Sequence, residues 1–199
     1  MSSVVIIDNG GGNIASVRYA LDRLGVASEV SRDPTRVQSA ARVILPGVGT
    51  ARDAMRRLRE TGLDRLIPTL TQPVLGICLG MQLLGAASDE GDTDCLGVFT
   101  GRATRLPEST GRSVPHMGWN RIEPARPSPL LVGIAPGEYA YFVHSYALSP
   151  SADTVATCEH GSEFAAINSR GNFHGTQFHP ERSSHTGAQL LANFVGLGG

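Results

Sequence analysis

Two short segments carry the side chains with the most obvious chemistry: Gly76-Ile77-Cys78-Leu79-Gly80 and, in the last quarter of the chain, Gln177-Phe178-His179-Pro180-Glu181. The first is the nucleophile-elbow pattern with cysteine in the nucleophile's place, between a predicted strand and a predicted helix. So tight a turn needs small neighbours, which accounts for glycine on both sides. It projects the sulfur from the carboxyl edge of a sheet at a helix N-terminus, where the dipole stabilises a thiolate. The backbone N–H of Leu79 then points to where an oxyanion forms. In the second segment His179 and Glu181, two apart in extended chain, project to one side. The carboxylate can hold the imidazole in one tautomer while its other nitrogen faces the thiol. Pro180 removes a ladder hydrogen bond, so this strand should be ending or at an edge. Taken singly, Cys78 reads as a small buried hydrophobe and His179 as a surface histidine beside a helix-starting glutamate. Taken together they read as a Cys–His–Glu triad for nucleophilic catalysis on an acyl group.

The elements that must position these residues follow from the apolar pattern. Short β-branched runs at 4–7, 26–31, 42–45 and 73–77 predict strands, and helical spacing predicts helices over 14–24, 51–60, 63–70 and 79–87. Strand–helix alternation with unalternating apolar strands implies an α/β fold: a mostly parallel central sheet with helices on both faces. From about residue 98 to 175, glycine and proline recur between short alternating runs at 139–146 and 164–168. That pattern predicts an antiparallel portion added to the same sheet. A last helix is expected over 187–194. With no repeat and no separating linker, residues 1–199 read as one domain.

Composition excludes several chemistries. The 17 basic residues are all arginine and lysine is absent, which removes a Schiff-base amine, covalently held pyridoxal phosphate and a phosphate-loop lysine. A net charge of −1 argues against wrapping nucleic acid. The start, Met1-Ser2-Ser3 leading into Val4–Ile7, has neither the basic region nor the long apolar stretch of an export signal, and no run reaches membrane-spanning length. Three cysteines without metal-site spacing argue against a disulfide framework. The expectation is a cytoplasmic protein with no metal and no cofactor. The basic run Arg56-Arg57-Leu58-Arg59 reads as a solvated helix face.

The acid follows the histidine here, whereas in α/β-hydrolases it precedes it. GICLG with a downstream HPE resembles the triad-type (class I) glutamine amidotransferases, whose core is flavodoxin-like. Three further stretches, Leu45-Pro46-Gly47-Val48-Gly49-Thr50, Pro115-His116-Met117-Gly118-Trp119-Asn120 and Tyr141-Phe142-Val143-His144-Ser145-Tyr146, resemble the branch of that family that serves histidine biosynthesis. The resemblance covers essentially the whole chain. It implies that Cys78 attacks the side-chain amide of glutamine, that His179 acts as base and then acid, and that Glu181 orients His179. A glutamyl thioester at Cys78 would be hydrolysed to glutamate. Leu79 would supply one oxyanion donor, and the strand around Val48 or Gly49 the second. Two glycines, Gly47 and Gly49, give a peptide there the freedom to flip. Gln82 lies one helical turn beyond Cys78 and resembles the family's glutamine-binding residue, with Gly47, Ser145 and Tyr146 beside it.

The resemblance also implies a partner, because free ammonia is protonated and lost in water. That partner is a (β/α)8-barrel cyclase subunit, which converts the ammonia and a phosphorylated ribulosyl precursor into imidazole glycerol phosphate and an aminoimidazole carboxamide ribotide. Asn13, Trp119, Tyr141 and Arg182 would face it, Arg182 standing where many family members carry lysine. Two other readings compete within this family. A glutaminase serving another synthase is disfavoured by the second and third stretches, and a non-catalytic regulatory relic by retention of the triad together with Gln82. Near the N-terminus, Gly10, Gly12 and Ala15 fit G-x-G-x-x-[GA], the dinucleotide fingerprint. The second strand, however, ends in Ser31-Arg32 rather than an acidic residue. The same loop resembles the amidotransferases' DxGxxN turn.

Overall fold

A computed structural model describes residues 4–10, 13–108 and 113–198. The apolar runs form four parallel strands: β1 (Val4–Ile7), β2 (Ser28–Ser31), β3 (Arg42–Leu45) and β4 (Val74–Ile77). Between and after them run α1 (Ile14–Arg23), α2 (Pro34–Ser39), α3 (Ala51–Thr61), α4 (Leu63–Leu66) and α5 (Leu79–Leu84). Local chemistry sets their ends. Asp33 accepts the Thr35 N–H at 2.8 Å just before Pro34 opens α2, and Thr50 Oγ1 accepts the Asp53 N–H at 3.2 Å to start α3.

The rest of the chain contributes β5 (Ala87–Ser88), β6 (Thr93–Asp94), β7 (Arg102–Arg105), β8 (His116–Arg121), β9 (Glu123–Pro124), β10 (Tyr139–His144), β11 (Tyr146–Leu148), β12 (Thr154–Glu159), β13 (Glu163–Arg170) and β14 (Phe173–Thr176), then α6 (Ser184–Gly196). The main sheet has the order β2-β1-β3-β4-β14-β13-β12-β9. It is parallel from β2 to β14 and antiparallel beyond. On one face α1 and α6 bring Val17, Leu21, Leu190, Leu191 and Phe194 onto Ile6, Ile44, Leu75 and Ile77. On the other, α2 to α5 bring Val37, Ala54, Met55, Leu58 and Met81 onto Val5, Ile7, Val43 and Val74. A mixed α/β fold with helices on both faces is thus what the sequence predicts. Among the described residues no helix is long and apolar enough to cross a membrane.

Several finer expectations are corrected. Only β9, β12, β13 and β14 extend the main sheet. β8 and β10 pair as a separate ribbon, and β11-β7-β5-β6 form a second small sheet. The run 139–146 is broken at Ser145, with His144 paired to His116 and Tyr146 to Arg105, so one segment serves two sheets. Alternation records which side chains are buried; it does not record which strand is the neighbour. The helix expected over 79–87 stops at Leu84, because the carbonyls of Leu83 and Leu84 accept N–H groups from Leu96, Val98 and Phe99 at 2.7–2.9 Å instead of from a further turn. The helix over 63–70 changes to a 3-10 turn at Ile67–Thr69, where Pro68 has no N–H to offer. Strand two begins at Ser28, since Val26 N–H is spent on the Leu21 carbonyl at the end of α1. The last helix is longer than expected at both ends. The arginine run is only partly solvated: Arg56 pairs with Glu60 at 2.6 Å, but Leu58 is buried and Arg57 Nη1 donates to the Asn9 carbonyl at 3.1 Å.

β3, β4 and β14 are neighbours, so their carboxyl ends bring Pro46–Gly49, Cys78 and Gln177–Glu181 to one edge. The first turn of α5 packs directly on β3 and β4. A Cβ on Gly80 would lie 1.8 Å from the Leu45 carbonyl oxygen, and one on Gly76 would lie 2.6 Å from the Gly80 carbonyl oxygen. Backbone cannot yield as a flexible side chain does, so Gly80→Ala should destabilise the fold by ~3 kcal/mol or more, read as a lowered midpoint in urea or thermal unfolding.

Candidate active site

Cys78 sits at the elbow between β4 and α5 with φ 53° and ψ −109°, a conformation that L-residues avoid. Its N–H donates to the Thr176 carbonyl of β14 at 2.7 Å, which helps to hold the strained residue. The sulfur has two neighbours at 3.7 Å: Sγ–H donates to the Val143 carbonyl, and Gln177 Nε2 donates to Sγ.

His179 is buried just past the end of β14, and Glu181 lies in a 3-10 turn, Pro180–Arg182. The pair therefore does not share a strand, contrary to the expectation from the spacing; the proline-started turn brings the carboxylate under the ring instead. Glu181 Oε1 lies 2.8 Å from His179 Nδ1, and the Glu181 side chain is fully buried. Nε2, the other ring nitrogen, is buried without a hydrogen-bond partner, close enough to Cys78 to feel it yet not in a formed bond. Burial disfavours the charged ring, but Cys78 and Glu181 outweigh it, and the proton affinity of His179 is raised. Asn13 Nδ2 donates to Glu181 Oε1, 3.1 Å from His179 Nδ1, so this side chain turns inward onto the histidine–glutamate pair. Of the fingerprint glycines beside it, Gly10 has φ +71° and Gly12 lies outside the described residues.

A cavity of about 470 Å³ opens in front of the sulfur. Its walls include Gly47, Val48, Gly49, Leu79, Gln82, Ser145 and Tyr146, together with Asn13, His179 and Arg182, so nearly every site residue expected from the sequence meets there. The two glycines differ in their reasons. Gly49 has φ +86°, whereas a Cβ on Gly47 would lie 2.8 Å from the Gly80 nitrogen. Gln82 is buried; its Nε2 donates to the Tyr146 carbonyl at 2.8 Å and to Gln177 Oε1 at 3.1 Å. Both N–H groups are thereby committed, which leaves its oxygen for a ligand. Trp119, Tyr141 and Arg182 cluster beside the mouth: Trp119 meets Tyr141 edge-on at 5.9 Å, and the Arg182 guanidinium lies 6.0 Å from the Tyr141 ring centre. Met117, Trp119 and Tyr139 are exposed on the same ribbon.

Sequence reasoning missed four contributors. Glu90 lines the cavity and caps α3 by accepting the Ala51 N–H at 2.8 Å, but nothing in its acidic loop marks it out. Val143 acts through a carbonyl and Gln177 from full burial, so neither carries a motif of its own. The fourth is a buried histidine pair. His144 Nδ1 donates to the Tyr146 carbonyl at 2.9 Å, and its Nε2 lies 3.1 Å from His116 Nδ1. His116 Nε2 accepts from Asn120 at 3.2 Å. Burial and the neighbouring His116 push the His144 pKa down to about 3. His144 thus stays neutral and, through the Tyr146 carbonyl, braces the Ser145–Tyr146 wall. Among the described residues no group of three or more His, Cys, Asp or Glu side chains is arranged to hold a metal. Burial pushes the Cys95 thiol up to about 11, which leaves it protonated at neutral pH.

His174, in β14, is also buried, and its pKa is pushed down to about 4. In the unfolded chain a histidine takes its proton near pH 6.5, so His144 and His174 make unfolding easier as pH falls from 7 toward 4. His179, with raised affinity, works in the opposite direction and loses its contribution only as pH rises through its folded value. Urea unfolding at pH 7 and pH 5 should show roughly 2 kcal/mol lost for each depressed histidine, and His174→Gln should flatten its share of that slope.

Residues 5–196 match the family described as glutamine amidotransferase class-I. Over 195 residues, 98% of each chain, the sequence is 53% identical to the "imidazole glycerol phosphate synthase subunit HisH" of Xanthomonas campestris pv. campestris. It is equally similar, with the same coverage, to the protein of that name from Xylella fastidiosa. Among solved structures, a glutamine amidotransferase superposes with a TM-score of 0.73 at 18% identity, covering 96% of both chains. PurLQS from Thermotoga maritima superposes with a TM-score of 0.71 at 19% identity, covering 97% of this chain and 96% of that one.

Proposed function

The chain belongs to the class-I glutamine amidotransferases, and from that premise we propose that it is the glutaminase subunit of an imidazole glycerol phosphate synthase, residues 1–199 forming one amidotransferase domain. The observation that carries the catalytic reading is the buried Glu181–His179 pair, 2.8 Å apart, set beside a cysteine in a strained elbow at the same sheet edge. In this reading His179 Nε2 takes the thiol proton and the sulfur adds to the carboxamide carbon of glutamine. The oxyanion receives the Leu79 N–H and a second N–H from the Val48–Gly49 loop after β3. As the tetrahedral adduct collapses, the C–N bond breaks and His179 returns the proton to the leaving nitrogen. Its raised proton affinity suits that hand-over. Water, deprotonated by His179, then cleaves the thioester and releases glutamate.

Glutamine fits the cavity through groups of matching polarity: the Gln82 oxygen as acceptor, the Ser145–Tyr146 wall and the backbone at Gly47. The ammonia has to be delivered before it is protonated, which calls for a synthase partner. We assign that role to a (β/α)8-barrel cyclase docking on the face of Trp119, Tyr141 and Arg182, with Asn13 behind it. Met117 and Tyr139 enlarge the exposed apolar area there.

Glutamine hydrolysis measured with the cyclase barrel present should fall by at least ~10³-fold in Cys78→Ala and by ~10²-fold or more in Glu181→Gln, with the fold intact by circular dichroism. An electrophilic glutamine analogue should label Cys78 and not Cys95. Activity retained in Cys78→Ala would overturn the mechanism, and failure to co-purify with a cyclase barrel would overturn the assigned partner.

A further inference from the structure

We infer that Gln177 is a catalytic group, its side-chain amide holding the Cys78 sulfur in its anionic form. The inference deepens the proposed glutaminase reading and rests on it for the role of Cys78. The geometry is a directional chain of amides. The Tyr146 carbonyl accepts from Gln82 Nε2 at 2.8 Å, and the other N–H of that nitrogen reaches Gln177 Oε1 at 3.1 Å. With its oxygen fixed on Gln82, Gln177 has only its NH2 to present to Cys78, and Nε2 lies 3.7 Å from Sγ. The orientation of both amides follows from the acceptors around them: reversing Gln82 would set its oxygen against the Tyr146 carbonyl, and reversing Gln177 would set its oxygen against the sulfur.

Gln177 is fully buried and its backbone N–H is anchored to the Ala166 carbonyl at 2.9 Å, so the amide has no water to turn to. A buried N–H donor aimed at a sulfur gains strength when that sulfur becomes an anion. The other group on the sulfur behaves oppositely. The Val143 carbonyl can accept the thiol proton at 3.7 Å but repels a thiolate. Loss of the proton to His179 therefore breaks one contact and tightens the other, leaving Gln177 beside the protonated His179 as the neutral donor that stays with the nucleophile. The helix behind Cys78 has six residues and ends at Leu84, which makes a discrete donor the more consequential.

The test is the pH dependence of Cys78 alkylation by iodoacetamide in the full chain, followed by mass spectrometry of the Cys78 peptide. It needs no glutamine turnover. Gln177→Leu should move the alkylation midpoint up by about one pH unit, and kcat for glutamine should drop ~10-fold with KM nearly unchanged. The isosteric Gln177→Glu places an oxygen opposite the sulfur and should raise the midpoint at least as far. Gln82→Leu leaves Gln177 in place but removes the group that orients it, and should give a smaller rise. That variant decides the matter if the two at Gln177 do not fold. Folded variants whose alkylation curves coincide with the wild type would overturn the inference. Glutaminase activity persisting in Cys78→Ala would instead overturn the glutaminase reading, while the alkylation curves would still decide what Gln177 does to the thiol.

Discussion

The constraint on which this site depends is the seat of one helical turn on two strands. Gly80 rests so near the Leu45 carbonyl that no side chain fits between them, and Gly76 meets the Gly80 carbonyl in the same way. Because the turn begins that close to the sheet, the chain leaving β4 has to reverse within one residue, and Cys78 takes up the strain as φ 53°. The same approach places Leu79 and Gly80 beside Gly47, so the loop after β3 is drawn against the elbow. Relaxing the contact with a methyl group would move the sulfur, the Leu79 N–H and the Pro46–Gly49 segment together. The strain is carried by a parallel sheet packed on both faces, which is stiff enough to hold it.

Much of this was legible in the residues. The glycines around Cys78 declared a tight turn, and the apolar runs declared buried parallel strands, because burial on both faces removes the alternation that a half-exposed strand would show. The histidine and glutamate were legible as a pair, although the device that joins them is a proline-started turn and not a strand. What stayed hidden is what side-chain type does not encode. Alternation over 139–146 gives no hint that the chain changes sheets at Ser145. The early end of α5 depends on N–H groups from residues 96–99, which are distant in sequence from the carbonyls they satisfy. Val143 contributes a carbonyl, and Gln177 was read as part of a motif without a task.

Two histidines near one cavity illustrate how environment sets charge. His144 and His179 are both buried, and burial alone pushes either toward the neutral form. His144 faces a second imidazole and a carbonyl, and it stays neutral far into the acid range. His179 has a carboxylate on one nitrogen and a thiol beyond the other, and its proton affinity rises. One ring therefore serves as a rigid strut for the Ser145–Tyr146 wall, while the other is able to carry a proton.

His179 and Glu181 belong to one short turn, and that has a kinematic consequence. An imidazole and a carboxylate drawn from distant parts of a chain can drift apart, so that the ring loses its preferred tautomer whenever the scaffold flexes. Here Pro180 alone separates the two in the chain, and Asn13 links their turn to the start of α1. Any displacement of the turn alters the gap between His179 and Cys78 and leaves the internal arrangement of the ring and its carboxylate untouched. The site is thus reduced to one adjustable coordinate, the distance from ring to sulfur, with the ring's tautomer held constant along it.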